Sequence, residues 1–549
     1  MCGIAAYVGP SEAFDFVSEA LTKMEYRGYD SFGIVVVDDK VVHTQKATGA
    51  PSDHVLAVAD GNIALGHTRW ATHGPVDISN CHPVQYKTVH VVHNGIVLNA
   101  TQHRARQKAE YGVEHQTDTD TEIIAVELYY KNLNGLGINS TNIDCLGDVG
   151  AFVAYIEGQA EEGLWVYRGS SPLYCRKGKI ASDLQAFSGY EDEAYEIPST
   201  TFLFVTADSF MEYSLGSIYS QVTEVPPIVA DPSTIVHYML KEIDEQRSST
   251  SIISADAITW SKKKFPLRVK LVGCGSSYYA AMYATRQLTQ RSSALDITVE
   301  YATDFTYRGV EDILVFISQS GETKDVLDAI KSIGSLERDG MRVPDVVVMQ
   351  NKNKSSLSQA APSHATVVNL NVGPEIGVAA TKTFTATSLK LQEIFGRLEA
   401  NSPLWHEIQE QIDKGLVGQI TQELIDTISG YKNILILGCY WSYPLALEAA
   451  LKFKEVSYIH AEAMRASEIK HGPIALIDPD TLCIVMGADR NEETRNNIYQ
   501  IQARGGNVFD LGDNDLTAII MLQRIAYYVA LNKGINPDKP RHLAKAVTV

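Results

Sequence analysis

The sequence has no C-x-x-C pair, and its seven cysteines are scattered and odd in number, which excludes a disulfide framework or a zinc site and fits a reducing compartment. It has no run of about 18 apolar residues, so nothing in it reads as a membrane span. No basic residue precedes Lys23, and Pro10 and Glu12 interrupt the apolar start, so no secretory leader is read. Lys and Arg number 47 against 66 Asp and Glu, a net charge of −19, which argues against nucleic acid as a partner because phosphate contacts need clustered Lys and Arg. A small phosphorylated substrate stays open, because one loop of backbone N–H groups can bind such an anion. There is no low-complexity tract. What is left is a globular chain of 549 residues, 45% hydrophobic and 21% charged, long enough for three or four domains. It reads as a cytoplasmic enzyme.

Position two is the first residue of interest. Removal of Met1, which a residue as small as Cys2 permits, would leave a thiol and a free α-amine on one residue. An α-amine titrates at about 7.7–8.0, against roughly 10.4 for lysine, so near neutral pH it can serve as general base beside its own nucleophile. Read alone, Cys2 is only the residue after a start codon. The rest of the chain decides.

Residues 2–9 read as a buried strand and 11–25 as a helix by the spacing of Phe14, Val17, Ala20, Leu21 and Met24. Further strands are expected at Gly33–Val37, Ile63–His67, Val89–Val92, Phe152–Ile156, Leu164–Tyr167 and Phe202–Val205, and a helix at Glu122–Leu133. This predicts an α+β layout with mixed sheets. Three stretches carry chemistry. Thr68-Arg69-Trp70-Ala71-Thr72-His73-Gly74 includes a guanidinium suited to bidentate capture of a carboxylate. His93-Asn94-Gly95 offers a side-chain amide and a backbone N–H at a strand end, where both can face a developing oxyanion. Thr117–Glu122 brings two aspartates to a helix start, where one carboxylate is also readable as a simple cap. Singly, each has an ordinary structural reading.

Together, CGIAAYVG, YRGYDSFGI, GHTRWATHG, HPV, HNGI and TDTE resemble, in order and spacing, the class II glutamine amidotransferase domain, over roughly the first 220 residues. The resemblance implies an N-terminal-nucleophile (Ntn) glutaminase sandwich. In it Cys2 attacks the glutamine amide, Asn94 and Gly95 form the oxyanion hole, Arg69 holds the α-carboxylate and Asp120 the α-ammonium. Thr72 and His73 would line the pocket, and Trp70 would gate a path for ammonia.

After an irregular stretch (Val225-Pro226-Pro227, Asp231-Pro232) and the helical HYMLKEIDEQ, read as a linker over 223–245, the chain alternates strand and helix with an internal echo. Val269–Tyr278 runs from a buried strand through a glycine-rich turn into a helix, and Asn433–Tyr443 repeats the plan, suggesting a duplicated doubly wound domain with ligands at strand C-terminal ends. In the first copy Ile313–Ile317 ends in Ser318-Gln319-Ser320-Gly321-Glu322-Thr323, whose hydroxyls and helix start suit a phosphate but also describe a plain cap. The G-x-x-x-x-G-K-S/T spacing of a Walker loop is absent. The corresponding strand of the second copy, Thr481–Met486, leads into Gly487-Ala488-Asp489, so one phosphosugar site per chain is expected, in the first copy. A helix is expected over Pro444–Val456, with Lys452 and Glu455 on one face and Glu448 one turn before Lys452; His471 follows close in sequence. A lysine, a glutamate and a histidine supply a base and proton shuttles for aldose–ketose chemistry, although a solvated ionic stripe is the ordinary reading.

GCGSSY, SQSGET, EIGVAATKTFT, LALEAALKFKEVSYIHAEA, IKHGP and PRHLAKAVTV resemble the paired sugar-isomerase (SIS) domains of the glutamine–fructose-6-phosphate aminotransferase family, and with the first domain this covers nearly the whole chain. The implied domains are 1–222 (glutaminase), 223–245 (linker), 246–405 (first SIS domain) and 406–549 (second SIS domain with tail). The implied reaction joins L-glutamine and fructose 6-phosphate into glucosamine 6-phosphate, the first step of hexosamine synthesis, in a homo-oligomer, a dimer. Ser276, Ser318, Gln319, Ser320 and Thr323 would hold the phosphate, and Ser277, Val378 and Ala379 would line the sugar. Glu455 would be the isomerisation base, with Lys452 nearby and His471 arriving from a neighbouring subunit. Lys545 would form a Schiff base with the ketose, so that no metal or organic cofactor is needed.

The chain departs from the family pattern at Tyr440, where a second glycine is usual, and between Asn507 and Met521, where it is shorter, as though a strand of the second SIS domain were trimmed. Its last residue, Val549, stands where an acidic residue often closes the tail. A sugar-phosphate sensor is the alternative from another class; Lys452, Glu455, His471 and Lys545 together disfavour it. A different ammonia acceptor is disfavoured by the lack of an acidic pyrophosphate motif or an ATP-pyrophosphatase loop.

Overall fold

The computed structural model describes residues 2–10, 12–70, 75–133, 144–147, 149–169, 171–190, 194–198, 201–207, 220–222, 237–249, 266–289, 294–338, 343–352, 355–395, 402–487, 492–512 and 515–547. Two compact units emerge, one within residues 1–234 and the other within 235–546. Among the described residues no helix is long and apolar enough to cross a membrane.

The first unit stacks two sheets between helices. Gly3–Val8 lies near the middle of the larger sheet, between Lys179–Ala181 and Ile63–Arg69; the latter pairs on with Ser31–Asp38 and then Val41–Thr48. The smaller sheet runs Thr201–Val205, Leu164–Arg168, Ala151–Ile156, Val89–Asn94, Val84–Tyr86. The facing sides interlock through Ile4, Ala6, Val8, Ile63 and Leu65 from one sheet and Val92, Ala151, Val153 and Val166 from the other. Helix Ala13–Lys23 covers the larger sheet with Phe16, Val17 and Leu21, and helix Thr121–Leu133 covers the smaller with Ile123, Ile124 and Leu128.

The expected mixed pairing is not found: every described strand pair in this unit is antiparallel. The reason is local. Asp39-Lys40 (φ 45° and 69°) and Lys177-Gly178 (φ 37° and 79°) place two consecutive residues at positive φ, the turn that matches the twist of a two-residue hairpin, so the chain folds straight back on itself.

The second unit holds two parallel sheets of one plan. The first runs Leu295–Tyr301, Leu267–Gly273, Ile313–Ile317, Asp345–Gln350, Thr366–Asn369; the second runs His460–Arg465, Asn433–Gly438, Thr481–Met486, Asn507–Asp510. In each sheet the first strand in sequence has the second on one side and the third on the other, so the strand order reverses there and a crevice opens at the carboxyl ends. The inner strands are mostly apolar (ILVFI, DVVVMQ, NILILG), as befits strands covered on both faces. Among the described residues the second sheet has one strand fewer, and helix Asp515–Asn532 follows four residues after Asn507–Asp510, where the sequence is short.

Two stretches differ from their sequence reading. The helix expected over Pro444–Val456 is α-helical only over Tyr443–Lys452; Phe453–Ser457 is a π-helical turn, ended by Tyr458 at φ 56°. Such wide turns are frequent at functional sites, and this one carries Glu455. The helical half of the stretch read as a linker, Tyr238–Asp244, is knitted into the second unit: Asp538 accepts the N–H groups of Tyr238 and Met239, and Glu242 those of Ile376 and Gly377.

Gly438 ends the strand that feeds helix Tyr443–Lys452, and a Cβ there would lie 2.4 Å from the Cα of Tyr443. Backbone, not a flexible side chain, would have to move. Gly438→Ala is therefore expected to destabilise by about 1–3 kcal/mol, read as a lower thermal midpoint; an unchanged midpoint would show that the turn is not tight.

Candidate active site

In the first unit Cys2 is held mainly through its carbonyl oxygen, which accepts Arg27 Nε at 3.1 Å and Asn94 Nδ2 at 3.0 Å. Its thiol accepts the Trp70 N–H at 3.2 Å. Gly28 makes this close approach possible, since a Cβ there would meet the Arg69 carbonyl carbon at 2.7 Å. Desolvation pushes the Cys2 thiol up, against the opposing pull of the chain's amino terminus, the Trp70 N–H and the Arg69 and Arg27 guanidiniums. Arg69 is buried, with Nη1 on the carbonyl of Pro75 at 3.2 Å, and the Trp70 indole meets Tyr29 edge to face at 5.9 Å. Gly95 (φ 148°) tolerates no Cβ, which would lie 2.3 Å from the Val149 carbonyl oxygen. Asp120 does not cap its own helix. Its Oδ2 accepts the Val97 N–H at 2.6 Å, so segment 94–97 bridges Cys2 and Asp120. Glu122, the second residue of the helix, takes the N–H groups of Gln116 and Thr117 instead. Thr72 and His73 lie outside the described residues.

Behind Asn94 stand three buried histidines, and their partners fix each proton. His93 Nε2 faces the Val149 carbonyl at 2.5 Å and must donate, so His93 Nδ1 accepts from Thr121 Oγ1 at 3.0 Å. Thr121 Oγ1 in turn receives His82 Nε2–H at 3.1 Å. His67 Nε2 faces the His93 carbonyl at 3.0 Å and must donate as well. Nδ1 of His67 and of His82 is therefore a bare lone pair, buried without a hydrogen-bond partner. Burial, with charged and imidazole neighbours behind it, pulls His67 down to about 3 and His82 well below the usual histidine range.

In the second unit the loop Ser318–Thr323 precedes helix Lys324–Arg338. Ser318 Oγ lies 2.9 Å from Thr323 Oγ1 and 3.5 Å from Ser320 Oγ, and it accepts the Gly321 N–H at 3.1 Å. Gly321 needs its left-handed φ of 67° and its bare Cα, because a Cβ would meet Ser355 at 2.2 Å. Gln319 is half-buried beside this cluster and is tied through its carbonyl to the Asn351 N–H.

Helix Gly275–Thr289 and helix Tyr443–Lys452 meet through Ser276, whose Oγ donates to Glu448 at 3.1 Å and accepts from Lys452 at 3.4 Å. Lys452 is fully buried between Glu455 at 2.6 Å and Glu448 at 3.3 Å. Burial alone would lower its pKa, but the two carboxylates outweigh it and raise it. Burial pushes Glu448 up to about 7, against the Lys452 charge. The π-turn swings Glu455 onto Lys452 rather than out to solvent. Ser277 is half-buried in the same first turn, and Val378 and Ala379 are buried in the loop after Gly377.

Lys545 Nζ sits on Glu375 Oε2 at 2.5 Å and on the Gly377 carbonyl at 2.8 Å. Glu375 also accepts the N–H groups of Thr381 and Thr383 and the Thr383 hydroxyl. Burial would raise Glu375, but the Lys545 charge and these donors hold it down to about 2, while buried Glu242, facing that carboxylate, is pushed up to about 8. Lys545 thus rests in an ion pair. His471 ends the turn Ala466–His471 exposed, and no hydrogen bond or ion pair joins it to Lys452, Glu455 or Lys545 among the described residues.

Sequence reasoning gave no role to Arg27, His67 or Glu375, and it noted Glu448 only as one turn before Lys452. Arg27 and Glu375 lie in stretches already singled out. The signal for His67 is the alternation Ile63, Leu65, His67, which continues an apolar stripe into a polar residue.

Comparison with known proteins matches a glutamine amidotransferase domain to residues 44–232 and SIS domains to 266–394 and 427–533. The chain is 33% identical over 621 residues to a protein of Pyrococcus horikoshii named glutamine–fructose-6-phosphate aminotransferase (isomerizing), and 33% identical over 605 residues to proteins of that name from Aquifex aeolicus and Sulfolobus acidocaldarius. In each case all of both chains is covered.

The bare Nδ1 atoms predict a pH dependence. Unfolded, a histidine takes up a proton near pH 6.5; folded, His67 and His82 stay neutral to far lower pH, so below about 6.5 the unfolded chain binds more protons and stability falls. The loss is expected to be on the order of 1 kcal/mol per histidine by pH 5.5. Denaturation of the wild type and of His82→Gln between pH 7.5 and 5.5 checks this: the variant should show the shallower slope, and equal slopes would refute it.

Proposed function

The chain belongs to the glutamine–fructose-6-phosphate aminotransferase family, and we propose that its first unit releases ammonia from glutamine and its second uses that ammonia to convert fructose 6-phosphate into glucosamine 6-phosphate. The observation that carries this reading is the match over the full length of both chains, which spans the amidotransferase and both SIS domains together.

Freed of Met1, Cys2 offers its thiolate to the glutamine side-chain carbonyl and its α-amine as base. The developing oxyanion is received by the Asn94 amide, which has a second N–H beyond the one on the Cys2 carbonyl, and by the Gly95 N–H. Collapse expels ammonia and leaves a γ-glutamyl thioester for water to cleave. Arg69 and Asp120 are read as the groups that hold the α-carboxylate and α-ammonium, with Thr72 and His73 in the pocket wall and Trp70 as gate. The enclosed positions of Arg69 and Asp120 support that reading, since charge pairing gains strength away from water.

In the second unit the hydroxyls of Ser276, Ser318, Ser320 and Thr323, with the Gln319 amide, receive the phosphate at the start of helix Lys324–Arg338. Ser277, Val378 and Ala379 face the sugar. Lys545 leaves Glu375, whose three neutral donors remain, and its amine adds to C2 of the open ketose with loss of water. Ammonia then displaces the lysine to give the sugar imine. Glu455 moves a proton from C1 to C2, which produces the 2-amino aldose. Lys452 beside it stabilises the charge that develops on oxygen, and Glu448, titrating near neutrality, can exchange a proton with the Ser276 hydroxyl. The exposure of His471, which has no hydrogen bond or ion pair to Lys452, Glu455 or Lys545 among the described residues, supports its acting in a neighbouring subunit, hence a homodimer; we read the enzyme as cytoplasmic.

Incubation with glutamine and fructose 6-phosphate, with glucosamine 6-phosphate and the intact N-terminal mass read by mass spectrometry, tests the whole reading. Product from protein lacking Met1 is expected, and its absence from such protein would overturn the synthase. Cys2→Ala should abolish glutamine-dependent synthesis yet keep slow hexose-phosphate isomerisation; loss of both would contradict separate sites. Lys545→Ala should stop amination while basal glutaminase persists, and retained synthesis would remove this lysine from the mechanism.

A further inference from the structure

The two ends of the Asn94 side chain are held by different partners. Nδ2 donates to the Cys2 carbonyl at 3.0 Å, and Oδ1 lies 3.2 Å from Nε2 of His67. That nitrogen carries a hydrogen, because the other atom it faces is the His93 carbonyl oxygen at 3.0 Å, which can only accept. The His67 N–H is thus shared between two acceptors, and one is the amide oxygen of Asn94.

The terminal torsion of an asparagine is soft and nearly two-fold, so packing alone does not decide which end faces the nucleophile. With the amide reversed, its NH2 would meet the His67 N–H hydrogen to hydrogen, and its oxygen would face the Cys2 carbonyl and the site of the oxyanion. Both contacts are repulsive. His67 is well suited to enforce the choice. It is fully buried on strand Ile63–Arg69 and its ring lies tilted against that of His82, centroids 4.2 Å apart; the His93 carbonyl, which can only accept, holds the hydrogen on Nε2 and leaves Nδ1 bare.

We propose that His67 is a positioning residue for glutamine hydrolysis: by donating to Asn94 Oδ1 it keeps the Asn94 NH2 group turned toward Cys2, where the oxyanion forms. This rests on the glutaminase reading above.

The test uses the full-length enzyme with Met1 removed. His67→Phe keeps a ring against His82 but has no N–H, whereas His67→Gln keeps an N–H without the ring. Loss of one oxyanion donor costs about 10²–10³ in kcat, so an intermittently reversed amide should lower glutaminase kcat about tenfold or more in His67→Phe, with KM within about twofold. His67→Gln should recover most of that loss. Alkylation of Cys2 by iodoacetamide, which needs no oxyanion donor, should proceed at the wild-type rate in both. In an Asn94→Ala background the His67→Phe change should have no further effect on kcat. Unchanged kcat in His67→Phe, or kcat and alkylation falling together, would overturn the proposal. Should His67→Phe not fold, His67→Leu is read the same way. A wild type that releases no glutamate ends the glutaminase reading and this inference with it; an active wild type beside an equally active His67→Phe ends only the inference.

Discussion

The carbonyl oxygen of Cys2 accepts two side-chain N–H groups, from Arg27 and Asn94, and the first unit is organised by that pair of bonds. A residue at the end of a strand is hard to hold still, and gripping the thiol itself would blunt it. Holding the backbone instead leaves the sulfur, among the described residues, hydrogen-bonded to the Trp70 main chain alone. Everything nearby serves that arrangement. Gly28 lets the Arg69–Trp70 backbone approach, Gly95 lets its strand end turn without a side chain, and the histidine layer behind Asn94 takes up the polar atoms that the sheet interface would otherwise strand.

The second unit solves a different problem, the burial of charge. Lys452 has no solvent exposure and is tolerable there because two glutamates and a serine surround it. Glu375 is the mirror case, a fully buried carboxylate satisfied by two backbone N–H groups, a hydroxyl and the Lys545 ammonium. Both clusters join segments far apart in sequence, Ser276 to Glu448 across 172 residues and Lys545 to Glu375 across 170. Protonation states in such clusters follow from neighbours rather than residue type, which is why Glu448 titrates near neutrality and Glu375 far below it although both are buried glutamates.

The helices and strands near the site were largely legible, because they depend on local periodicity: Gly3–Val8, Ser31–Asp38, Val89–Asn94 and Ile313–Ile317 lie within a few residues of their expected spans. The antiparallel pairing of the first unit was not, because it depends on turns, and one of them, Asp39-Lys40, carries no glycine to announce a positive φ. Nor was the π-turn at Glu455, since a change from 3.6 to a wider period over five residues leaves the apolar pattern almost unaltered.

Sequence by itself determined the elements, the glycines at close approaches, the hydroxyl-rich helix start at Ser318–Thr323 and the chemical identity of the side chains around Cys2 and Lys452, all of which rest on residues near one another in the chain. Tertiary structure alone decided that the Asp120 carboxylate reaches Val97 instead of capping its helix, that Lys545 rests on Glu375, and that His67 faces Asn94. The physical reason is that a motif states which groups are available, whereas direction and protonation depend on which donor or acceptor comes within about 3 Å once the sheets have packed.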